Sequence, residues 1–205
     1  HQWRQPLNNI NLLIYFIRDS YGKISQMELS ELIKDAKLQI DYMSQTIDDF
    51  RNFYKPSKEK KLFNIKESII QSSKIVNASL EKYGIKFEIF GEDLQLDSYE
   101  NEFEQVVVNI LNNAIDAKIV KSNSEKFDAR IEINIFKEND NIVISIFNNC
   151  GNIDEQIIER IFEPYFTTKF ENQGTGIGLY MTKVIVEKNM NGKIQAKNLN
   201  DGVEF

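Results

Sequence analysis

Apolar residues recur at alternating steps of three and four along the first quarter of the chain, a spacing that predicts helices. A first series runs through Leu7, Ile10, Ile14, Ile17 and Tyr21. A second series runs through Leu29, Ile33, Ala36, Ile40, Met43, Ile47, Phe50 and Tyr54. Gly22 and polar neighbours separate the two series, as expected at a helix end. The pattern predicts a helical hairpin over residues 1–55. Because two helices bury such a seam poorly, it also predicts a homodimer with a four-helix bundle. A monomeric hairpin folded against the rest of the chain is the alternative.

The pattern changes after a polar linker at residues 56–62, which begins with the helix-breaking Pro56. Helical spacing returns at residues 65–82, 100–120 and 178–188. Strand-like alternation marks residues 85–90, 130–137 and 141–147, and a final strand is expected to open at 192–196. Helices and strands mixed in this way predict a two-layer α/β sandwich over residues 63–205. The fold class is therefore α+β, with a hairpin followed by a sandwich.

Composition narrows the classes of function. The 205 residues carry a net charge of −6, which argues against a nucleic-acid-binding surface. Cys150 is the single cysteine, so no internal disulfide forms and a reducing, cytoplasmic location is expected. No run of 18 apolar residues occurs. Both ends fall inside predicted elements, so we expect the sequence to be a fragment. Any membrane attachment is then expected outside it, with this fragment as the cytosolic part of a membrane-anchored receptor.

Two motifs in the second region predict a nucleotide site. A glycine run that opens a helix presents backbone N–H groups to phosphates. Its residues are Gly174, Thr175, Gly176, Ile177, Gly178 and Leu179. Asn109 and Asn113 stand four residues apart on a predicted helix, so both carboxamides share one face, where an amide oxygen can bind Mg²⁺. The glycine spacing fits neither a Walker loop nor a dinucleotide fingerprint.

Four segments, in order, resemble the catalytic core of the sensor histidine kinases, with its GHKL-type (Bergerat-type) ATP-binding domain. Residues 1–7 resemble the phosphoacceptor box, 109–117 the asparagine box, 162–169 the phenylalanine box and 174–179 the second glycine box. The resemblance spans essentially the whole chain. It implies autophosphorylation of His1 from Mg-ATP and transfer of the phosphoryl group to an aspartate of a response regulator receiver domain.

The resemblance also assigns roles to residues. It makes Asn113 the Mg²⁺ ligand and gives Asn109 a supporting role at the phosphates or the metal. Residues 151–174 become a lid, in which Thr167, Thr168 and Lys169 face the phosphates. In hydrolysing relatives a glutamate occupies the position of Asn109, and an amide cannot replace it as a general base. The site is therefore suited to phosphoryl transfer.

The chain departs from the family at two places. The family's D-x-G-x-G segment reads Asn148-Asn149-Cys150-Gly151-Asn152 here. Asn148 is expected to accept from the adenine amino group and to donate to a ring nitrogen, without the charge that strengthens such a bond. Because all three signature positions differ, we predict that ATP binding is retained but weakened.

The second departure lies beside the phosphoacceptor. Gln2 replaces the acidic residue that normally follows His1, and an amide cannot take its proton. Gln5 lies one helical turn from His1 and can position water for dephosphorylation of a receiver. These residues predict an attenuated or phosphatase-biased kinase.

Two other functions stay open on the sequence. One is a catalytically silent dimeric module that signals or senses nucleotide through a degenerate site. The other is a GHKL kinase acting on serine or threonine.

Overall fold

A computed structural model of the chain describes residues 4–53, 59–122, 127–169 and 176–205. Two units can be separated by their internal contacts. The first contains the described residues of 1–55 and 165–177, and the second those of 56–164 and 178–205.

The first unit contains the helical hairpin. Helix α1 spans Arg4–Asp19 and helix α2 spans Gln26–Phe53, and the two helices are in contact. The turn uses Gly22, whose φ is 78°. Ser25 then starts α2, because its Oγ accepts from the backbone N–H of Glu28 at 3.2 Å and the Glu28 carboxylate accepts from the Ser25 N–H at 2.8 Å. Tyr21, which the sequence placed in the helical series, lies beyond the end of α1.

The inner face of α2 differs from the predicted seam. The α2 side chains that are at least partly buried among those described include Leu29, Leu32, Ala36, Gln39 and Met43. Ile33 and Ile40 are 55% and 52% exposed, so these two residues of the predicted seam are not buried within the single hairpin. The predicted series and the observed inner face of α2 share Leu29, Ala36 and Met43. The packing of α1 decides which of the two sets of α2 residues is buried.

The second unit is a sheet covered by helices. Its elements, in chain order, are β1 Lys61–Asn64, α3 Ile65–Lys82, β2 Lys86–Gly91, β3 Gln95–Ser98, α4 Glu100–Ser122, β4 Arg130–Glu138, β5 Asn141–Asn148, α5 Gly178–Val184, a π-helix Ile185–Asn189, β6 Lys197–Leu199 and β7 Gly202–Glu204. In the part of the chain that the structure describes, five strands form a mixed sheet in the order β2-β4-β5-β7-β6, and only its β2–β4 pair is parallel. Strands β1 and β3 form a separate antiparallel pair. This arrangement confirms the predicted α+β class.

Most predicted elements are present, but the C-terminal part differs. The strand expected from Gly192 begins only at Lys197 and belongs to a hairpin with β7. Gly192 instead donates its N–H to the Val186 carbonyl at 2.8 Å, which holds the chain against the end of the π-helix. The β1–β3 pair was not predicted, because four-residue strands carry too few positions to show a period.

One face of the sheet packs against the helices. Ile131, Ile133 and Ile135 alternate along β4 and are fully buried. They share a core with buried residues of α3 and α4, among them Ile69 and Leu111. The register pairs Ile131 with Asn148, so the last residue of β5 belongs to the same inner face. Within the described residues, no helix has the length and hydropathy that a bilayer span requires.

Candidate functional site

The paired asparagines lie on α4, at the edge of the core. Val107 and Leu111 are fully buried and fix the rotation of this helix. Asn109 and Asn113 are consequently held half-buried on one face. Both amides therefore lie on one face of a helix, as the four-residue spacing predicted.

Asn109 connects α4 to the start of α5. Its Nδ2 donates to the Gly178 carbonyl at 3.3 Å and to the Thr182 Oγ1 at 3.4 Å. Thr182 Oγ1 in turn donates to the same carbonyl at 3.1 Å. A carbonyl oxygen can only accept, so Nδ2 is the amide atom that faces Gly178, and Asn109 Oδ1 remains an acceptor, which suits a cation and not a phosphate oxygen.

Thr182 is a site residue that the sequence analysis missed. It is buried, and it lies four residues after Gly178, one turn along the same helix. A threonine at this spacing can return a hydrogen bond to the preceding turn. That spacing was the only available signal, and it did not identify Asn109 as the partner.

The glycine at the start of α5 is not required by steric contact. A Cβ added to Gly178 lies 3.9 Å from Asn109 Cγ, which is ordinary van der Waals contact. Leu179 follows it in the first turn and is half-buried. The close contact at this position is therefore the hydrogen bond to the backbone carbonyl.

The first glycine segment begins inside the core. Asn148 is 2% exposed, and its Oδ1 accepts from the backbone N–H of Cys150 at 3.2 Å. Asn149 joins two neighbouring segments, since its Oδ1 accepts from the Arg130 N–H at 2.8 Å and its Nδ2 donates to the Asp128 carbonyl at 2.9 Å. The backbone on this side of Asn148 is thereby held in one position.

The other departures from the family pattern are accommodated by packing. Cys150 is buried in the core, and burial raises the pKa of its thiol although Lys118 and Lys121 oppose the rise. The unusual backbone angle falls on Gly151, whose φ is 133°. Asn152 donates from Nδ2 to the Leu199 carbonyl at 3.3 Å. A glycine at position 152 would lack this bond, so the asparagine ties the loop to β6.

The phenylalanine-box and second glycine segments meet within the first unit. Tyr165 donates its N–H to the Gly176 carbonyl at 2.9 Å, and the two residues have φ of 67° and 63°. A Cβ on Gly176 would lie 2.4 Å from the Tyr165 carbonyl carbon, too close for any other residue. Thr167 Oγ1 accepts from the Lys169 N–H at 3.1 Å, and Thr167 and Thr168 are exposed.

Several predicted site residues cannot be placed. His1, Gln2, Gly174 and Thr175 lie outside the described residues. Gln5 lies in α1, but its side chain is not described. Ile177 is half-buried in the first unit.

Comparison with known proteins gives consistent matches. Residues 98–205 match the family described as histidine kinase-, DNA gyrase B-, and HSP90-like ATPase. The two-component sensor PprA of Pseudomonas aeruginosa is 26% identical over 210 residues, covering the whole chain and 23% of that protein. The chain therefore spans about a quarter of the length of this relative.

Solved structures match both parts of the fold. The catalytic domain of histidine kinase ThkA is 31% identical with a TM-score of 0.62, covering 72% of this chain and 92% of that one. ThkA in complex with response regulator protein TrrA matches 98% of this chain and 57% of that one, at 24% identity and a TM-score of 0.70. The second likeness shows the fold alone, and it extends over the helical hairpin.

Proposed function

Since the chain belongs to the histidine kinase-, DNA gyrase B- and HSP90-like ATPase family and forms a sensor histidine kinase catalytic core, we propose that it is an ATP-dependent protein-histidine kinase of a two-component system. The observation that carries the proposal is the link from Asn109 to Gly178 and Thr182. It holds the asparagine helix against the start of α5, with an amide in place of the general base of hydrolysing relatives. This arrangement favours transfer to a side chain over transfer to water.

The acceptor in this proposal is His1. A ring nitrogen of the neutral imidazole attacks the γ-phosphorus, an N–P bond forms, and the bond to the β,γ-bridging oxygen breaks. ADP leaves with the electron pair of that bond. The proton of the attacking ring goes to solvent, because the amide of Gln2 cannot accept it. Because Gln2 stands where the family has an acidic residue, phosphorylation of His1 should be slow.

Asn113 is the residue we propose for holding Mg²⁺. An amide oxygen suits this hard cation, which usually keeps several waters and binds substrate phosphates besides one or two protein ligands. The half-buried position of Asn113, one turn from Asn109, agrees with that requirement. When bound, the ion would neutralise charge on the phosphates.

The remaining nucleotide contacts stay predictions from the resemblance. Asn148 and Gly151 are proposed for the base. The residues proposed for the phosphates are Thr167, Thr168, Lys169, Gly174, Thr175, Gly176, Ile177, Gly178 and Leu179. The backbone contact between Tyr165 and Gly176 supports a joint role for the segments on either side of it.

A receiver domain of a response regulator is the proposed partner, and a second copy of this chain the proposed dimerisation partner. The complex of ThkA with TrrA supports the first. Exposed apolar residues seven apart on both helices, Leu7 and Ile14 on α1 and Ile33 and Ile40 on α2, support the second. Gln5, one turn beyond His1, is proposed to position water for dephosphorylation of the receiver.

The test is incubation with [γ-³²P]ATP and Mg²⁺, comparing the unmodified chain with His1→Ala and Asn113→Ala. We expect acid-labile, alkali-stable label that is lost in His1→Ala. Asn113→Ala should lower the labelling rate at least tenfold. Mutation of a residue that only hydrogen-bonds a metal ligand already lowers metal affinity or activity about 10- to 100-fold. Asn112→Ala, on the exposed neighbouring position, is the matched control and should label normally.

Other outcomes of this test point elsewhere. Equal labelling of His1→Ala would contradict the proposed acceptor. Absence of label while nucleotide still binds would favour a silent nucleotide-sensing module. Acid-stable label would indicate phosphorylation of serine or threonine.

A further inference from the structure

We propose that Glu102 and Asn189 are positioning residues, which act on the metal end of the site through Asn109. Their hydrogen bond holds the π-helix against α4 and thereby keeps α5 in the place where it orients the Asn109 amide. This inference rests on the proposed function, in which Asn113 holds Mg²⁺ one turn from Asn109. It assigns neither Glu102 nor Asn189 a contact with the nucleotide.

A buried carboxyl group on α4 is the first observation. Glu102 is 6% exposed, although glutamate is rarely buried unless a partner compensates for its lost hydration. Asn189 supplies such a partner, since its Nδ2 donates to Glu102 Oε2 at 2.7 Å. An apolar side chain would fill the same space without the cost of burying a carboxyl group. The hydrogen bond between the two helical segments is what an apolar side chain would not provide.

The spacing of the hydrogen bonds shows that the two segments are fastened at two points. Glu102 and Asn109 lie seven residues apart on α4, and their partners Asn189 and Thr182 are also seven residues apart. The order of the partners is reversed, so the segments run in opposite directions. Seven residues span about 10 Å of helix. Two bonds at this separation oppose both sliding and rotation, which a single bond does not.

The second fastening point holds the least regular turn of the segment. Asn189 is the last residue of the π-helix, in which the Met190 N–H donates to the Ile185 carbonyl at 2.9 Å, five residues back. Such turns are rare and occur frequently at functional sites. The preceding α5 has only seven residues, too few for a helix that is stable without packing. The position of α5 therefore depends on contacts at both ends of the segment.

A shift of α5 would reach Asn109 directly. Asn109 Nδ2 donates to the Gly178 carbonyl and to Thr182 Oγ1 at 3.3 and 3.4 Å, which are long hydrogen bonds. Movement of α5 along α4 would break both bonds and leave the amide free to turn. Asn109 Oδ1 would then no longer be fixed as an acceptor for the cation. Glu102 and Asn189 thus stand behind the metal end of the site without touching it.

The experiment compares Glu102→Met and Glu102→Gln with the unmodified chain. Methionine has a similar size but no oxygen, whereas glutamine keeps an oxygen that can accept from Asn189. In labelling with [γ-³²P]ATP, we expect Glu102→Met to raise the Mg²⁺ concentration for half-maximal rate about tenfold, as mutations behind metal ligands do. Glu102→Gln should restore most of this loss. Lys188→Ala, on the exposed neighbour of Asn189, is the matched control and should label normally.

A second readout does not need the nucleotide. The thermal midpoint of Glu102→Met should not fall, since methionine removes the cost of burying a carboxyl group. Amide hydrogen exchange from Met181 to Val184 should nevertheless become faster, because α5 loses one of its two fastening points. A residue with only a structural role would instead lower the thermal midpoint when it is replaced. If Glu102→Met does not fold, Asn189→Ala removes the same bond from its half-buried side.

The outcomes separate the inference from the function on which it rests. Unchanged exchange in α5 overturns the inference, and so does an unchanged Mg²⁺ requirement in a chain that is labelled. Equal losses in Glu102→Met and Glu102→Gln overturn it too, because the hydrogen bond is then not what matters. In each of these cases the proposed function stands. Absence of label in the unmodified chain contradicts the proposed function, and faster exchange confined to α5 in Glu102→Met would still support the fastening.

Discussion

Glu204 shows how a single side chain is controlled by partners that are remote in sequence. Its carboxylate accepts from Ser145 Oγ at 2.6 Å and pairs with Lys197 Nζ at 2.7 Å. Burial acts to raise the pKa of Glu204, but the hydrogen bonds from Lys197 and Ser145 and the charge of Lys197 outweigh burial and hold the pKa below its ordinary value. The three residues lie on β5, β6 and β7, so the carboxylate joins the C-terminal hairpin to the rest of the sheet.

A depressed pKa makes the contribution of Glu204 to stability depend on pH. The unfolded chain binds the proton first, so this stability is present above the unfolded pKa of about 4.3 and is lost as the pH falls through the lower, folded pKa. Glu204→Gln should lower the free energy of unfolding by about 1 kcal/mol at pH 7. The difference from the unmodified chain should shrink below pH 4. Urea unfolding at several pH values measures it, with exposed Glu155→Gln as the control. A difference that did not change with pH would contradict the assignment.

At the residue scale, the sequence identified the side chains expected at the site but did not predict their hydrogen-bond partners. The pair Asn109 and Asn113 was recognised from spacing alone, because four residues make one helical turn wherever the helix lies. The hydrogen bond from Asn109 Nδ2 to Thr182 was not predicted, since 73 residues separate the two. Asn148 was recognised as a departure from the family, but the direction of its amide depends on where the Cys150 N–H is held.

The backbone contact between Tyr165 and Gly176 also depends on packing, here at the scale of the element. Both residues have positive φ, and their backbones are in direct contact. Gly178, two residues further on, starts α5 with room for a side chain. The sequence presents these two glycines as equivalent members of one run. The structure assigns them different roles, because only the first is pressed against another backbone segment.

Alanine substitutions of the two glycines should therefore differ. Gly176→Ala combines a left-handed backbone, which costs about 1–2 kcal/mol, with a direct clash against Tyr165. It should lower stability by at least that amount and speed proteolysis within residues 165–177. Gly178→Ala should change stability by less than about 1 kcal/mol. Urea unfolding and limited proteolysis of the two variants give the comparison. Equal effects would show that the contact with Tyr165 is not what requires glycine.

The helix after Gly178 shows a limit of periodicity. The sequence predicts one helix over residues 178–188, whereas α5 ends at Val184 and continues as the π-helix Ile185–Asn189. Asn189 Nδ2 donates to the Glu102 carboxylate at 2.7 Å, and Glu102 is buried on α4. The π-helix has only five residues and lies at the end of the helical segment, too short to show a period of its own in the sequence.

At the scale of the whole molecule, the exposed isoleucines of α2 are relevant to the proposed dimerisation. Ile33 and Ile40 lie seven residues apart and remain more than half exposed in the single chain. Leu7 and Ile14 form the corresponding pair on α1. Apolar residues repeated at seven-residue spacing on both helices are typical of a bundle that is completed by further helices.

A charge placed among these exposed apolar residues should weaken the proposed dimer. Ile40→Glu would bury a carboxylate in the proposed interface, and we expect its dimer dissociation constant to rise at least about tenfold. Lys37→Glu, on an exposed position of the same helix, should leave the constant within about threefold. Sedimentation equilibrium measures both. A monomeric unmodified chain, or an unaffected Ile40→Glu dimer, would contradict the proposed interface.

Local spacing along the chain was enough to predict most of the helices and strands, their order and the chemical groups proposed for the nucleotide site. These properties depend on local spacing, which sets the face of a helix or strand on which a side chain lies. Tertiary structure decided which of two overlapping apolar series on α2 faces α1. It also decided which glycine is sterically required and which atoms of the Asn109 and Asn148 amides form hydrogen bonds within the protein. Each of these depends on a backbone or side chain brought close by packing from a distant part of the chain. Such proximity is a property of the folded core, and no local spacing encodes it.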